Sequence, residues 1–96
     1  MAKPLQEVYF VFMNLDPVYE RLRADRSVYQ GSATLDAYLS QKHDKLLAKL
    51  LPPDTYCKKS SLAIVDGFAV EITDAQATVL RSAKEVRVVE KNQELA

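Results

Sequence analysis

The chain has 96 residues, with 13 lysines and arginines against 13 aspartates and glutamates, and at that length it buries roughly 60 to 65% of the surface its unfolded form exposes. That is enough for one modest core in a single domain, and too little for a core plus a deep, water-excluding catalytic cavity. A balanced charge gives no electrostatic reason to seek nucleic acid or an anionic membrane, and the lone Cys57 and lone His43 offer neither an internal disulfide nor a zinc site, so no cofactor or metal is expected.

Residues 7–13 (EVYFVFM) are dense in β-branched and aromatic side chains and predict a strand apolar on both faces, of the kind that sits centrally in a sheet. Asp16-Pro17 is a helix start, with the aspartate as cap and proline at the first position, and predicts a short helix through about Arg23. Residues 26–32 read as exposed loop. Residues 35–51 carry apolar side chains at Leu35, Tyr38, Leu39, Leu46, Leu47 and Leu50, a helical stripe that Pro52-Pro53 ends. Residues 59–65 and 68–72 flank Asp66-Gly67, a dipeptide whose ease with positive φ predicts a tight hairpin turn. Thr73-Asp74-Ala75-Gln76 has capping-box form and opens a second helix burying Ala77, Leu80 and Ala83 and ending near Lys84. Residues 86–90 form a last strand, and residues 91–96 are a polar tail carrying one apolar side chain, Leu95.

No apolar run approaches the roughly 20 residues needed to cross a bilayer, and the first residues lack the pattern of a signal peptide, so the chain as given reads as soluble. Ser40, Ser60 and Ser61 have no evident His and Asp partners in the pattern, which disfavours nucleophilic catalysis. His43, beside the apolar stripe, is a half-buried histidine bonded locally or, alternatively, a pH-sensing switch in the imidazole titration range.

The order strand, helix, strand, strand, helix, strand is that of the α+β ferredoxin-like sandwich, a four-stranded antiparallel sheet with two helices on one face. The other face is left uncovered. Alternation places on it either Tyr9, Val11 and Met13 or their partners Val8, Phe10 and Phe12, together with Ala69 and Val89; we take the Tyr9, Val11, Met13 set as the docking face. Contiguous exposed apolar area of this kind marks an interaction surface.

The run from Ile64 to Ala77 (IVDGFAVEITDAQA), followed by Leu80 and Val86-Arg87-Val88-Val89, resembles the inhibitory propeptide of subtilisin-like serine proteases, whose plant members carry a Gly-Phe-Ala-x-x-hydrophobic-Thr-x-x-Gln-Ala signature. Lys42-His43-Asp44-Lys45-Leu46-Leu47 resembles the first helix of the plant members, and Val8-Tyr9-Phe10-Val11 their first strand. Two departures stand out: Lys84-Glu85 replaces a common Pro-Gly turn, and residues 14–33 are longer than the corresponding loop in most relatives.

The resemblance implies a ferredoxin-like domain that templates the folding of its protease, inhibits it, and is then cut and released. Its partner would be the catalytic domain of a subtilisin-like serine protease in the secretory pathway, with no enzymatic activity of its own. It implies that the sheet face docks on the protease and that Gln93, Glu94, Leu95 and Ala96 enter the active-site cleft as a product-like strand. Glu90 and Asn92 fall where relatives place groups that accept bonds at the N-terminus of a protease helix. Tail length implies a natural cleavage point a residue or two past Ala96, which sets Leu95 at an apolar subsite; if Ala96 is the end, it lies beside the catalytic serine instead. A freestanding inhibitor of the same fold, acting in trans, fits the initial Met1 and the lack of a protease domain in the chain. An acylphosphatase-like or small-ligand-binding reading has no support, because neither Gly31 nor Gly67 sits in a phosphate-cradling loop.

Overall fold

A computed structural model of the chain describes residues 5–24, 31–62 and 65–92. Its elements run β1 (Glu7–Met13), α1 (Pro17–Ala24), α2 (Gly31–Leu50), β2 (Cys57–Leu62), β3 (Gly67–Ile72), α3 (Asp74–Arg81) and β4 (Val86–Lys91). The four strands form one sheet in the order β2-β3-β1-β4, with every neighbouring pair antiparallel. This is an α+β fold whose strand order is compatible with the ferredoxin-like arrangement.

β1 is central, as its doubly apolar sequence requires. It pairs with β3 through Tyr9↔Val70 and Val11↔Phe68, and with β4 through Val11↔Val89. On that face Tyr9, Val11, Met13, Phe68, Val70, Ile72, Val86 and Val89 meet Leu46 and Leu47 of α2 and Ala77 and Leu80 of α3 in one buried cluster. Each large side chain fully buried there, such as Phe68 or Leu47, is worth about 2 kcal/mol of removal from water.

α1 follows the proline-start pattern, and Val18 N–H donates to Asp16 Oδ1 at 3.0 Å. It is the short helix expected from Asp16-Pro17, a third beside the two of the ferredoxin-like pattern, and it packs on α2. Tyr19 of α1 buries against Leu35 and Leu39, with Leu22 and Tyr38 at the margin. The apolar stripe of α2 is therefore shared: its first half covers α1 and its second half covers the sheet. Between the halves Leu39, His43 and Leu47 stand at spacing i, i+4, i+8, all three fully buried, so the imidazole fills the gap that the apolar pattern leaves.

Several boundaries differ from those expected. α2 starts at Gly31, so Gly31 and Ser32 are helical where loop was expected; residues 25–30 lie outside the described residues. β2 (Cys57–Leu62) begins two residues before the expected start at Lys59, the expected residues 63 and 64 lie outside the described residues, and its register with β3 shifts between Lys58 and Ser60. α3 ends at Arg81, capped by Ser82, instead of near Lys84, although its Thr73 and Gln76 capping box forms in full. Lys91 belongs to β4, and Asn92 N–H still donates to Val8 C=O at 2.8 Å, which shortens the tail at its start.

At the β2–β3 turn it is Asp66 that takes positive φ, at 41°, while Gly67 does not. Aspartate tolerates that region because its short side chain bonds locally. Gly67 is needed for a different reason: a Cβ there would lie 2.7 Å from the Val11 carbonyl oxygen and 3.1 Å from the Phe12 ring.

The docking-face assignment needs correction. Tyr9, Val11, Met13 and Val89 are 2%, 0%, 8% and 4% exposed and lie under the helices, not on the open side. The two alternating sets of β1 are equally apolar, so period-2 patterning cannot rank them; the helices can. Tyr9 belongs on the helix side because its hydroxyl reaches the carboxylate of Asp74, the first residue of α3. That contact and burial push its phenol above the usual range. Ala69 does lie on the open face, flanked by its register partners Phe10 and Ser60, but is itself buried.

Candidate protein-docking face

The open face is built by the alternate residues. Val8, Phe10 and Phe12 of β1 stand opposite Glu71, Ala69 and Gly67 of β3, and Phe10 and Phe12 stand opposite Glu90 and Val88 of β4. Leu62 of β2 extends the row through its pairing with Gly67. Val8, Phe10, Phe12, Leu62 and Val88 are all half-buried, an apolar strip with no helix over it among the described residues. The Phe12 ring lies against Gly67, which is why a side chain at that glycine would collide with it. Exposed Glu90 closes one end of the strip, and Asn92, two residues on, continues the same alternation beside Val8. Residues 93–96, the expected cleft-binding segment, lie outside the described residues.

Behind the sheet, a polar cluster ties α1, α2 and the β2–β3 turn together. Lys42 Nζ donates to Asp16 Oδ2 at 2.9 Å and to Asp66 Oδ2 at 2.6 Å, and Tyr38 donates its hydroxyl proton to Asp16 Oδ2 at 2.5 Å. Burial pushes the Asp16 carboxyl up, but the bonds from Tyr38 and Lys42 and the lysine charge outweigh it and hold the group down to about 2. Burial and the bond to Asp16 push Tyr38 up to about 12. The two shifts share one cause: an anionic Asp16 favours a protonated phenol beside it.

His43, fully buried, places Nδ1 2.8 Å from Ser61 Oγ and Nε2 3.1 Å from Asp66 Oδ1, with its ring 4.7 Å from that of Phe68. The expectation that Ser61 has no His and Asp partners is thereby overturned. The arrangement is not that of a hydrolase triad, in which Nε2 faces the serine and Nδ1 the carboxylate. The imidazole is 0% exposed, so no substrate atom can reach it, and Ser61 Oγ also accepts from Lys58 Nζ at 3.2 Å. The cluster is a cross-tie holding helix, strand and turn in register.

Asp16 and Asp66 were each legible only in a local role, as cap and turn residue, and Lys42 only as part of the second helical segment. What joins them is tertiary. A histidine on a buried stripe needs polar partners, and that requirement is the sequence signal for a carboxylate nearby.

Over 90% of its length the chain is 31% identical to the subtilisin-like protease SBT2.5 of Arabidopsis thaliana. The chain spans 12% of that protein's length, so the similarity concerns a small region of a much larger protease. No family model matches the chain, and no solved structure matches it. The chain is thus related to a region of a plant subtilisin-like protease and adopts an α+β fold whose sheet has one apolar face uncovered among the described residues. No helix among the described residues is long and apolar enough to cross a membrane.

Proposed function

We propose that the 96 residues are a single inhibitory propeptide domain of a subtilisin-like serine protease of the secretory pathway, serving as folding template and autoinhibitor and doing no catalysis itself. The observation that carries this reading is the 31% identity to a small region of a subtilisin-like protease, in a chain whose sheet leaves one apolar face open.

In this reading Val8, Phe10, Phe12 and Val88 dock on the protease surface, removing apolar area from water on both partners. Glu90 and Asn92, at the end of the strip, accept bonds from free amides at the N-terminus of a protease helix, where the dipole favours an anion. Residues 93–96 then leave β4 in extended form and add as a strand to the cleft, held there by backbone hydrogen bonds. Docking of the face keeps the tail at high effective concentration, so a cleaved tail rebinds faster than it escapes.

The test is inhibition of the catalytic domain of the matched Arabidopsis protease by the added 96-residue chain. Nanomolar inhibition is expected, on the order of 12 kcal/mol of binding, and removal of residues 93–96 should weaken it at least about tenfold while the circular dichroism spectrum stays unchanged. An inhibition constant indifferent to the tail contradicts the cleft-binding role, and no inhibition at micromolar chain contradicts the function.

A further inference from the structure

A second surface lies at the opposite end of β1 from Asn92. Where the chain leaves β1, Met13 and Leu46 floor a cleft of about 500 Å³ whose rim carries Leu15 and Pro17. Leu15 is 83% exposed. The walls hold four lysines, Lys42, Lys45, Lys49 and Lys84, against two carboxylates, Asp16 and Glu85. Lys42 is committed to Asp16 and Asp66, and Lys49 to Glu85. Lys45 of α2 and Lys84 of the α3–β4 turn are exposed and enter no direct ion pair among the described residues, although the Lys84 charge also acts on neighbouring Glu85, which Lys49 already binds.

The cleft thus pairs an apolar floor with an excess of positive charge from two different elements. We infer that it binds an acidic segment of a partner protein, one apolar side chain of the segment seating on Met13, Leu46 and Leu15 while flanking carboxylates meet Lys45 and Lys84. Charge complementarity selects this occupant: an uncharged apolar segment would leave both ammonium groups unpaired at a newly desolvated rim, and a basic one would be repelled. The volume suits one or two side chains, more than a bare ion needs. The cleft lies on the helix side of the sheet at the Met13 end of β1, whereas Val8, Phe10 and Phe12 face the other side and Asn92 bonds to Val8 near the far end of the strand, so the two surfaces can be occupied together. The inference does not depend on the open face docking a protease.

The probe is a fluorescein-labelled peptide, acetyl-Glu-Glu-Leu-Phe-Asp-Glu-amide, titrated with the 96-residue chain by fluorescence anisotropy, with amide NMR shifts locating the site. Saturable binding in the range of about 10 to 500 μM is expected, with shifts at Lys45, Leu46 and Lys84, and a loss of about tenfold or more in 0.5 M salt. The Lys45→Glu/Lys84→Glu variant, altered only at exposed positions and checked for an unchanged circular dichroism spectrum, should bind at least about tenfold more weakly. Leu15→Ser should weaken binding without altering its salt dependence. Equal affinity of the charge-reversed variant, shifts confined to the open face, or no saturation at 1 mM chain overturns the inference. So does competition by succinate at the peptide's own affinity, which would define a small-anion site, or a concentration-dependent dimer that buries the cleft.

Discussion

Asp16 does three things with one side chain: it caps α1 through Val18, accepts the Tyr38 phenol, and anchors Lys42 against the turn at Asp66. Held down to about 2 in the fold, its carboxyl lies below the roughly 3.9 of an aspartate in an unfolded chain. A group with a depressed folded pKa contributes stability above its unfolded pKa and loses it as pH falls through the folded one. Asp16 therefore stabilises the domain fully above about pH 4, and that contribution disappears between about 4 and 2, with a total of about 2 kcal/mol. Asp16→Asn should lower stability in urea unfolding by about 1 to 2 kcal/mol near neutral pH. The gap between variant and parent should close as pH falls toward 2. A gap that is constant with pH would show that the carboxylate charge is not what Asp16 contributes. Its capping role was readable from Asp16-Pro17 alone, but its bond to Lys42, 26 positions away, depends on how α1 folds back on α2 and leaves no local trace.

The helix α3 is the element most completely written in the sequence. Thr73 Oγ1 accepts from Gln76 N–H at 3.1 Å, and Gln76 Oε1 accepts from Thr73 N–H at 3.0 Å. The Gln76 amide also donates to Thr55 Oγ1 at 2.8 Å, which fastens the α2–β2 connection to the start of α3. Thr73→Ala should cost about 1 kcal/mol, measured as a drop in urea midpoint at unchanged m-value. A change within a few tenths would mean that water replaces the cap without loss. β1 was equally plain, because six apolar or β-branched residues in a row, Val8 to Met13, permit little else. The start of β2 was missed because CKKSSL carries almost no apolar alternation, and its position comes from pairing with β3 and from Ser61 meeting His43. The first turn of α2 was missed since Gly31 and Ser32 are poor helix formers, held here in a helix whose next residues pack on α1.

At the scale of the whole molecule, the strand order and a sheet covered on one side could be derived from element order alone. Which side is covered could not. Val8, Phe10 and Phe12 are as apolar as Tyr9, Val11 and Met13, and the choice falls to α2 and α3, which bury the second set. This changes what the docking account claims, because the residues to perturb are now Phe10 and Val88. Glutamates there leave the buried cluster intact, whereas the same change at Val11 or Val89 would place a charge in the core. The most direct measurement is the inhibition constant of the Phe10→Glu/Val88→Glu variant against a subtilisin-like protease catalytic domain, beside that of the unaltered chain and with folding checked by circular dichroism. Nanomolar inhibition by the unaltered chain is expected, with a loss of about thirtyfold or more in the variant, the effect of removing about 2 kcal/mol of central interface contact. Equal inhibition by the two would contradict the open face as the docking surface, and no inhibition by either would contradict the propeptide reading itself.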